Sequence, residues 1–235
     1  MRATVLMVLV AITVVSRSAT AQSLVPPRGH VDITVIAAQA VGDLRRSVDE
    51  GFGVELGMRY QLDPSGLLSL RGSVGLINYG HESTRYCSAY GCRVNIDLAT
   101  DNNILFVGIG PELGKQFGPI RPYLRATLGV GYFVTTSRLS GSDDWSGDSY
   151  ATTTNYDDLV LQLRSGAGLS LRLSNGRTPV SLDVGTDYHH NGTATYLVEG
   201  DIIDRADGSI VLNPRRSDAN LWTFRIGVSV GIPRG

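Results

Sequence analysis

From residue 51 onward the chain alternates apolar and polar residues with a period of two. Phe52, Val54, Leu56, Met58, Tyr60 and Leu62 fall on one side of an extended chain, with Gly53, Glu55, Gly57, Arg59 and Gln61 on the other. The pattern returns in Leu68, Leu70, Val74 and Leu76 against Ser69, Arg71, Ser73 and Gly75, and again in Leu105, Val107, Ile109 and Leu113 against Gly108, Gly110, Glu112 and Gly114. Next come Leu124, Leu128, Val130, Tyr132 and Val134 against Arg125, Thr127, Gly129 and Gly131. Leu159, Leu161, Leu163, Leu169 and Leu171 then oppose Gln162, Arg164, Gly166, Gly168 and Ser170. Val180, Leu182, Val184 and Tyr188 oppose Ser181, Asp183, Gly185, Asp187 and His189, and Trp222, Phe224, Ile226, Val228 and Val230 oppose Thr223, Arg225, Gly227, Ser229 and Gly231. With a weaker first strand over 30–40, the pattern predicts eight strands.

The connections give the strands an order. Asp63-Pro64-Ser65-Gly66, Gly118-Pro119-Ile120-Arg121 and Asn175-Gly176-Arg177-Thr178 are tight turns, with Pro, Gly and Asn where turn chemistry wants them. The other connections, 43–50, 82–101, 138–158 and 191–220, are long and polar, and the last is expected to hold a hairpin around Ala206-Asp207-Gly208. Short turns alternating with long loops are the asymmetry of an up-and-down barrel that crosses an outer membrane.

The polar set decides which solvent the apolar set meets. A water-facing side would be rich in Lys, Glu, Thr and Asn, whereas this one alternates glycine with single arginines and acids. That suits the narrow interior of an eight-stranded barrel, just wide enough for side chains to fill. There Glu55, Glu112, Asp183 and Asp187 are expected to pair with Arg59, Arg71, Arg125, Arg164 and Arg225, because an unpaired charge at such a site costs several kcal/mol. The runs also exceed the roughly 9–11 residues a tilted strand needs to cross a bilayer. Tyr60, Tyr79, Phe117, Tyr123, Tyr132 and Trp222 lie near strand ends, where girdle aromatics sit.

Composition refines this picture. The 235 residues include 28 Gly and carry a net charge of −1, which excludes a basic nucleic-acid binder and a disordered acidic tail. The mean hydropathy of +0.02 averages a lipid-facing surface with a polar lumen and polar loops. Residues 1–21 read as a secretory signal peptide: Arg2, an apolar run over 5–15, and Ala19-Thr20-Ala21 at the cleavage point. The barrel domain then occupies 22–235. Export places Cys87 and Cys92 in an oxidising compartment, so a local disulfide is expected, worth only about 2 kcal/mol for so short a loop.

These features together resemble the small OmpA/OmpX-type outer-membrane β-barrel family over nearly the whole mature chain. The resemblance implies an all-β, eight-stranded antiparallel up-and-down transmembrane β-barrel in the bacterial outer membrane. It implies partners in outer-membrane lipid, lipopolysaccharide and the barrel-insertion machinery, and a monomer without nucleic acid or cofactor. The chain departs from the family in its last residues, Ile232-Pro233-Arg234-Gly235, where such barrels usually end in an aromatic.

Catalytic readings have less support. Asp187 and His189 share a face two residues apart, resembling the Asp-x-His pair of omptin-type barrel proteases, but that family also needs a facing pair of aspartates, for which Asp97 or Asp101 would have to serve. His81, Glu82 and Ser83 are the residue types of a lipid A deacylase barrel, yet adjacent residues on alternating faces form no relay. The acidic stretch 142–148 matches no defined calcium loop, so no metal site is assigned. The expected role is structural or surface-interacting, without enzymatic activity, with recognition carried by the long loops. A narrow solute pore and a barrel hydrolase are the alternatives.

Overall fold

The computed structural model describes residues 27–87, 95–115, 118–141, 149–176, 178–205, 207 and 209–233. The expected leader at 1–21 and the expected Cys87–Cys92 bridge lie outside the described residues, as does the acidic stretch 142–148. The long elements are β1 (Gly29–Ala40), β2 (Glu50–Gln61), β3 (Leu68–Cys87), β4 (Asn95–Gly114), β5 (Ile120–Gly141), β6 (Ala151–Arg172) and β7 (Val180–Asn191). Four short strands follow, β8 (Thr193–Tyr196), β9 (Ile202–Asp204), β10 (Ile210–Leu212) and β11 (Arg215–Asp218), and then β12 (Leu221–Ile232). Eight strands close into a barrel in the order β1-β12-β7-β6-β5-β4-β3-β2, every neighbouring pair antiparallel. Closure runs through β1, where Val35 pairs with Ile226 on one side and Val54 on the other. The last long connection adds nothing to the ring: β8 pairs with β11 and β9 with β10 in separate two-stranded sheets.

The alternation reads directly as outside and inside. Phe52, Leu161, Leu124, Ile226 and their equivalents stand on the outer wall, with Phe52 65% and Leu161 67% exposed. Along β4 the apolar outer positions run from Leu105 to Leu113, which at about 3.4 Å per residue and a tilt of about 40° gives a band roughly 20 Å tall. Two of the expected aromatic girdle positions are corrected. Tyr123 points into the lumen and donates to Asp183 Oδ1 at 2.6 Å, and Tyr79 is buried against Phe133 and Tyr196.

The expected polar loops 82–101 and 138–158 are also corrected, because much of both is strand. β3 runs on to Cys87 and β4 starts at Asn95, while β5 reaches Gly141 and β6 starts at Ala151. Above the apolar band both faces of a hairpin meet water, so no alternation marks the strand. Cross-strand polar pairs carry it instead, Arg85 with Asp97 at 2.7 Å and Thr100 with Ser137 at 2.8 Å. Irregularities at Asn78/Gly80 and Thr135/Thr136 mark where these hairpins leave the ring.

The interior has two tiers. Toward the short-turn end it is charged. Toward the long-loop end the same inward positions carry Ile36, Ile77, Ile104, Phe106, Phe133 and Leu221, packed as an apolar core. Glycines make room for the charged tier. A Cβ on Gly129 would overlap the Val107 carbonyl of β4, whereas Gly72, on the outer wall, has open space around it. Gly129→Ala is therefore expected to destabilise the barrel by about 1–3 kcal/mol through overpacking, and Gly72→Ala to stay within about 0.5 kcal/mol of the parent. Urea midpoints of the two variants in micelles check the contrast.

Candidate functional site

The charged tier is built from alternate residues of all eight strands of the ring. Glu55 on β2, fully buried, is its centre: Arg164 Nη1 donates to Oε2 at 2.7 Å, while Arg71 Nη2 and Arg125 Nη1 reach Oε1 at 3.1 and 3.2 Å. Arg71 also forks onto Asp32 of β1 at 3.1 and 2.7 Å. Arg125 forks onto Asp187 of β7 at 2.7 and 2.5 Å, and Arg225 of β12 lies 2.5 Å from the same carboxylate. Arg59 donates to Glu112 at 2.6 Å, and Arg225 lies 3.4 Å from Asp183. Arg164 also donates to Ser73 Oγ and Thr127 Oγ1.

All nine residues expected in the lumen, Glu55, Arg59, Arg71, Glu112, Arg125, Arg164, Asp183, Asp187 and Arg225, face inward and are buried. Asp32, Arg121 and His30 are additional. The alternation of β1 is weak because Ile36 and Ala38 replace polar residues at its upper inward positions, which hides Asp32 from a pattern search. Forked guanidinium–carboxylate bonds are the strong geometry for such pairs. Removing one partner leaves the others charged and dry, which is far more costly than the net worth of the pair.

Phe106 forms the boundary between the tiers. The Arg164 guanidinium lies 4.6 Å from its ring centroid and the His189 ring meets it edge-on at 5.5 Å. Above it the apolar tier is closed by the loop that begins with β8. Tyr196 packs its ring against Tyr79 and Phe133, and Tyr79 Oη donates to the Leu197 carbonyl at 3.4 Å. The Thr195 amide donates to Asp158 at 2.6 Å, and Asn191 holds the Ala219 carbonyl at 2.6 Å. Farther out, Arg215 binds Asp201 and Ser47. The loop thus plugs the barrel mouth with apolar side chains and is tied to β6, β7 and the first long loop.

The catalytic candidates do not assemble. His189 is buried beneath the apolar tier, with Nε2 3.1 Å from Thr223 Oγ1, while the Asp187 carboxylate is bound by Arg125 and Arg225. Asp97 and Asp101 lie on the opposite wall face, above the apolar band. There His81 Nδ1 is 2.6 Å from Asp101 and Arg138 donates to the same carboxylate. Glu82 pairs in register with Thr100 and Ser83 with Ala99, so His81, Glu82 and Ser83 do not converge.

No protein-family model matches the chain, and no curated protein matches it. Several solved structures are similar at low identity. Neisserial surface protein A is 16% identical, with 87% of this chain and 97% of that chain covered and a TM-score of 0.47. Ail, the attachment invasion locus protein of Yersinia pestis, is 16% identical over 88% of this chain and 100% of its own, with a TM-score of 0.47. A major outer membrane protein from Thermus thermophilus is 12% identical over 87% of this chain and 99% of its own, with a TM-score of 0.41. Eight antiparallel strands closed in sequence order, with short turns at one end, make an up-and-down β-barrel.

Two outcomes follow. Glu55→Gln removes the charge shared by Arg71, Arg125 and Arg164 and is expected to cost about 3–5 kcal/mol, read as a lowered urea midpoint. At Asp101, burial works to raise the pKa, but the hydrogen bonds from Arg138 and His81 outweigh it and hold the carboxyl below its ordinary value. A lowered folded pKa means stability present at neutral pH and lost as pH falls through the folded value, so this outer cluster loosens only in acid, below the ordinary aspartate range. Carboxyl carbon shifts should place that titration below the ordinary aspartate range and move it up in Arg138→Gln.

Proposed function

We propose that this chain is an integral outer-membrane barrel, exported by its leader, with a structural or surface-interaction role carried by the long-loop end. The observation behind this reading is a charge-free apolar belt wrapped around a sealed lumen. Along the outward positions Val31 to Gln39 of β1, Leu105 to Leu113 of β4 and Trp222 to Ile232 of β12, no residue is charged. A soluble protein rarely exposes a continuous apolar patch beyond a few hundred Å². Lipid is the partner such a belt requires. The outer-face groups just above it, Arg85, Asp97, Arg138 and Asp101, stand where lipopolysaccharide headgroups would meet a monomeric barrel inserted by the cell's own machinery.

The sealed interior supports a structural or surface role over a pore. Salt-bridged side chains fill the lower lumen, and the apolar tier and its loop close the upper one. The Asp187–His189 pair is buried in this packing, away from any substrate, which supports a non-enzymatic role. Reconstituted into planar bilayers, the protein is expected to show no stable conductance steps, while lipids brominated along the acyl chain quench the fluorescence of the outward-facing Trp222. Stable openings, or a Trp222 signal indifferent to brominated lipid, would contradict this reading.

A further inference from the structure

The lumen charges do not balance, and the excess lies at one end. Arg59, Arg71, Arg125, Arg164 and Arg225 each have a carboxylate partner, whereas Arg121 and Arg172 have none among the described residues. Both sit at the short-turn end. Arg121 is 4% exposed, and its Nη2 is held by the hydroxyls of Ser170, at 2.8 Å, and Ser181. Arg172 is half-buried and touches the Asn175 side chain at 3.4 Å. The Nε–H of each guanidinium is buried without a partner among the described residues, and so is the hydroxyl of Ser229, which pairs in register with Ser181.

Among the described residues no carboxylate forms an ion pair with either guanidinium, and the two that act on Arg121 from farther off, Asp183 and Glu112, belong to other arginines. Glu112 accepts from Arg59 and lies 3.5 Å from Arg71, and Asp183 is held by Tyr123 and Arg225. Arg59 is itself a like charge acting on Arg121, together with Arg172. Outside the paired network, among the described residues, Arg28 and Lys115 add positive charge at this end against Asp63, whose carboxylate is occupied by Ser65 and the amides of Leu67 and Leu68. A buried guanidinium without a counter-charge is among the most costly groups a protein can hold.

We infer that the short-turn mouth of the lumen binds a phosphate-class oxyanion between Arg121 and Arg172. The Nε–H donors of both arginines and the Ser229 hydroxyl supply the hydrogen bonds, and the anion supplies the missing charge. Guanidinium forks suit tetrahedral oxyanions because their planar donors match pairs of oxygens. The phosphate has two sources. It is either free inorganic phosphate or the headgroup of a phospholipid in the adjacent leaflet. A separate cleft of about 680 Å³ at the same end is lined by Arg28, Arg59, Met58 and Ile232 and by none of Arg121, Arg172 and Ser229, so it does not decide between the two sources.

The test uses the folded full-length protein in an uncharged detergent, titrated with inorganic phosphate against chloride at equal ionic strength and read by calorimetry. A parallel arm counts retained phosphatidylglycerol against phosphatidylcholine by native mass spectrometry. Saturable phosphate binding that weakens at least tenfold in Arg172→Gln, a half-buried position with little else to lose, supports a free anion. Retention of phosphatidylglycerol alone, lost in Arg172→Gln and in Arg28→Gln, supports the lipid headgroup. Arg216→Gln, at the opposite end, should change neither. Arg121→Gln should abolish binding and, in phosphate-free buffer, leave the urea midpoint unchanged or raised, since it removes an uncompensated charge. Absence of binding in both arms, or binding that Arg172→Gln and Arg121→Gln leave intact, overturns the proposal.

Discussion

The centre of this barrel is organised by the need to meet each inward carboxylate with a guanidinium. Closing eight strands leaves a lumen only as wide as its side chains, so water cannot solvate what points inward. Glu55 shows the consequence most plainly: one carboxylate from β2 is shared by arginines of β3, β5 and β6. Strands far apart in sequence are thereby fixed at a common height. Small residues beside the arginines are part of the same solution. Gly57, for example, leaves space that Asp32 and Arg71 occupy, and Gly166 leaves space that Asp187 fills.

The two tiers divide the work. The charged tier ties the ring together across its diameter, and the apolar tier above it gives the returning loop something to pack on. Tyr196 and Val198 cover the mouth as hydrophobic residues cover any core. The loop that carries the outermost surface is therefore anchored at its base on β5 and β6, a rigid platform for recognition. The charge arrangement also distinguishes the ends of the molecule: among the described residues, acids predominate on the long-loop side, while uncompensated arginines gather at the short turns.

How much of this is legible in the amino-acid sequence depends on the environment of each segment. Where one face meets lipid and the other a polar lumen, as in β2 or β12, period-two alternation is unambiguous and gives strand, face and site residues together. Where both faces are apolar, as at Ile104 to Val107, the contrast disappears, so the upper tier with Phe106 and Phe133 is invisible. Where both faces are polar, as over most of 151–158, strands look like loops. Tyr79 and Tyr123 mislead for another reason: an aromatic near a strand end suits an interface girdle as well as a lumen, and only its phase on the strand, blurred at those positions, separates the two. Arg121 follows a Gly-Pro turn and reads as part of the turn rather than as the first inward residue of β5.

The barrel's closure depends on whether the lumen charges act as a unit. Unfolding free energies of the parent, Glu55→Gln, Arg164→Gln and the double variant form a cycle across a 2.7 Å contact between strands 109 residues apart. A shared network predicts a coupling of about 1–3 kcal/mol, the double variant being little worse than Glu55→Gln alone. Effects that add to within about 0.5 kcal/mol would mean that the two side chains merely fill space, and that something other than this network holds the barrel closed.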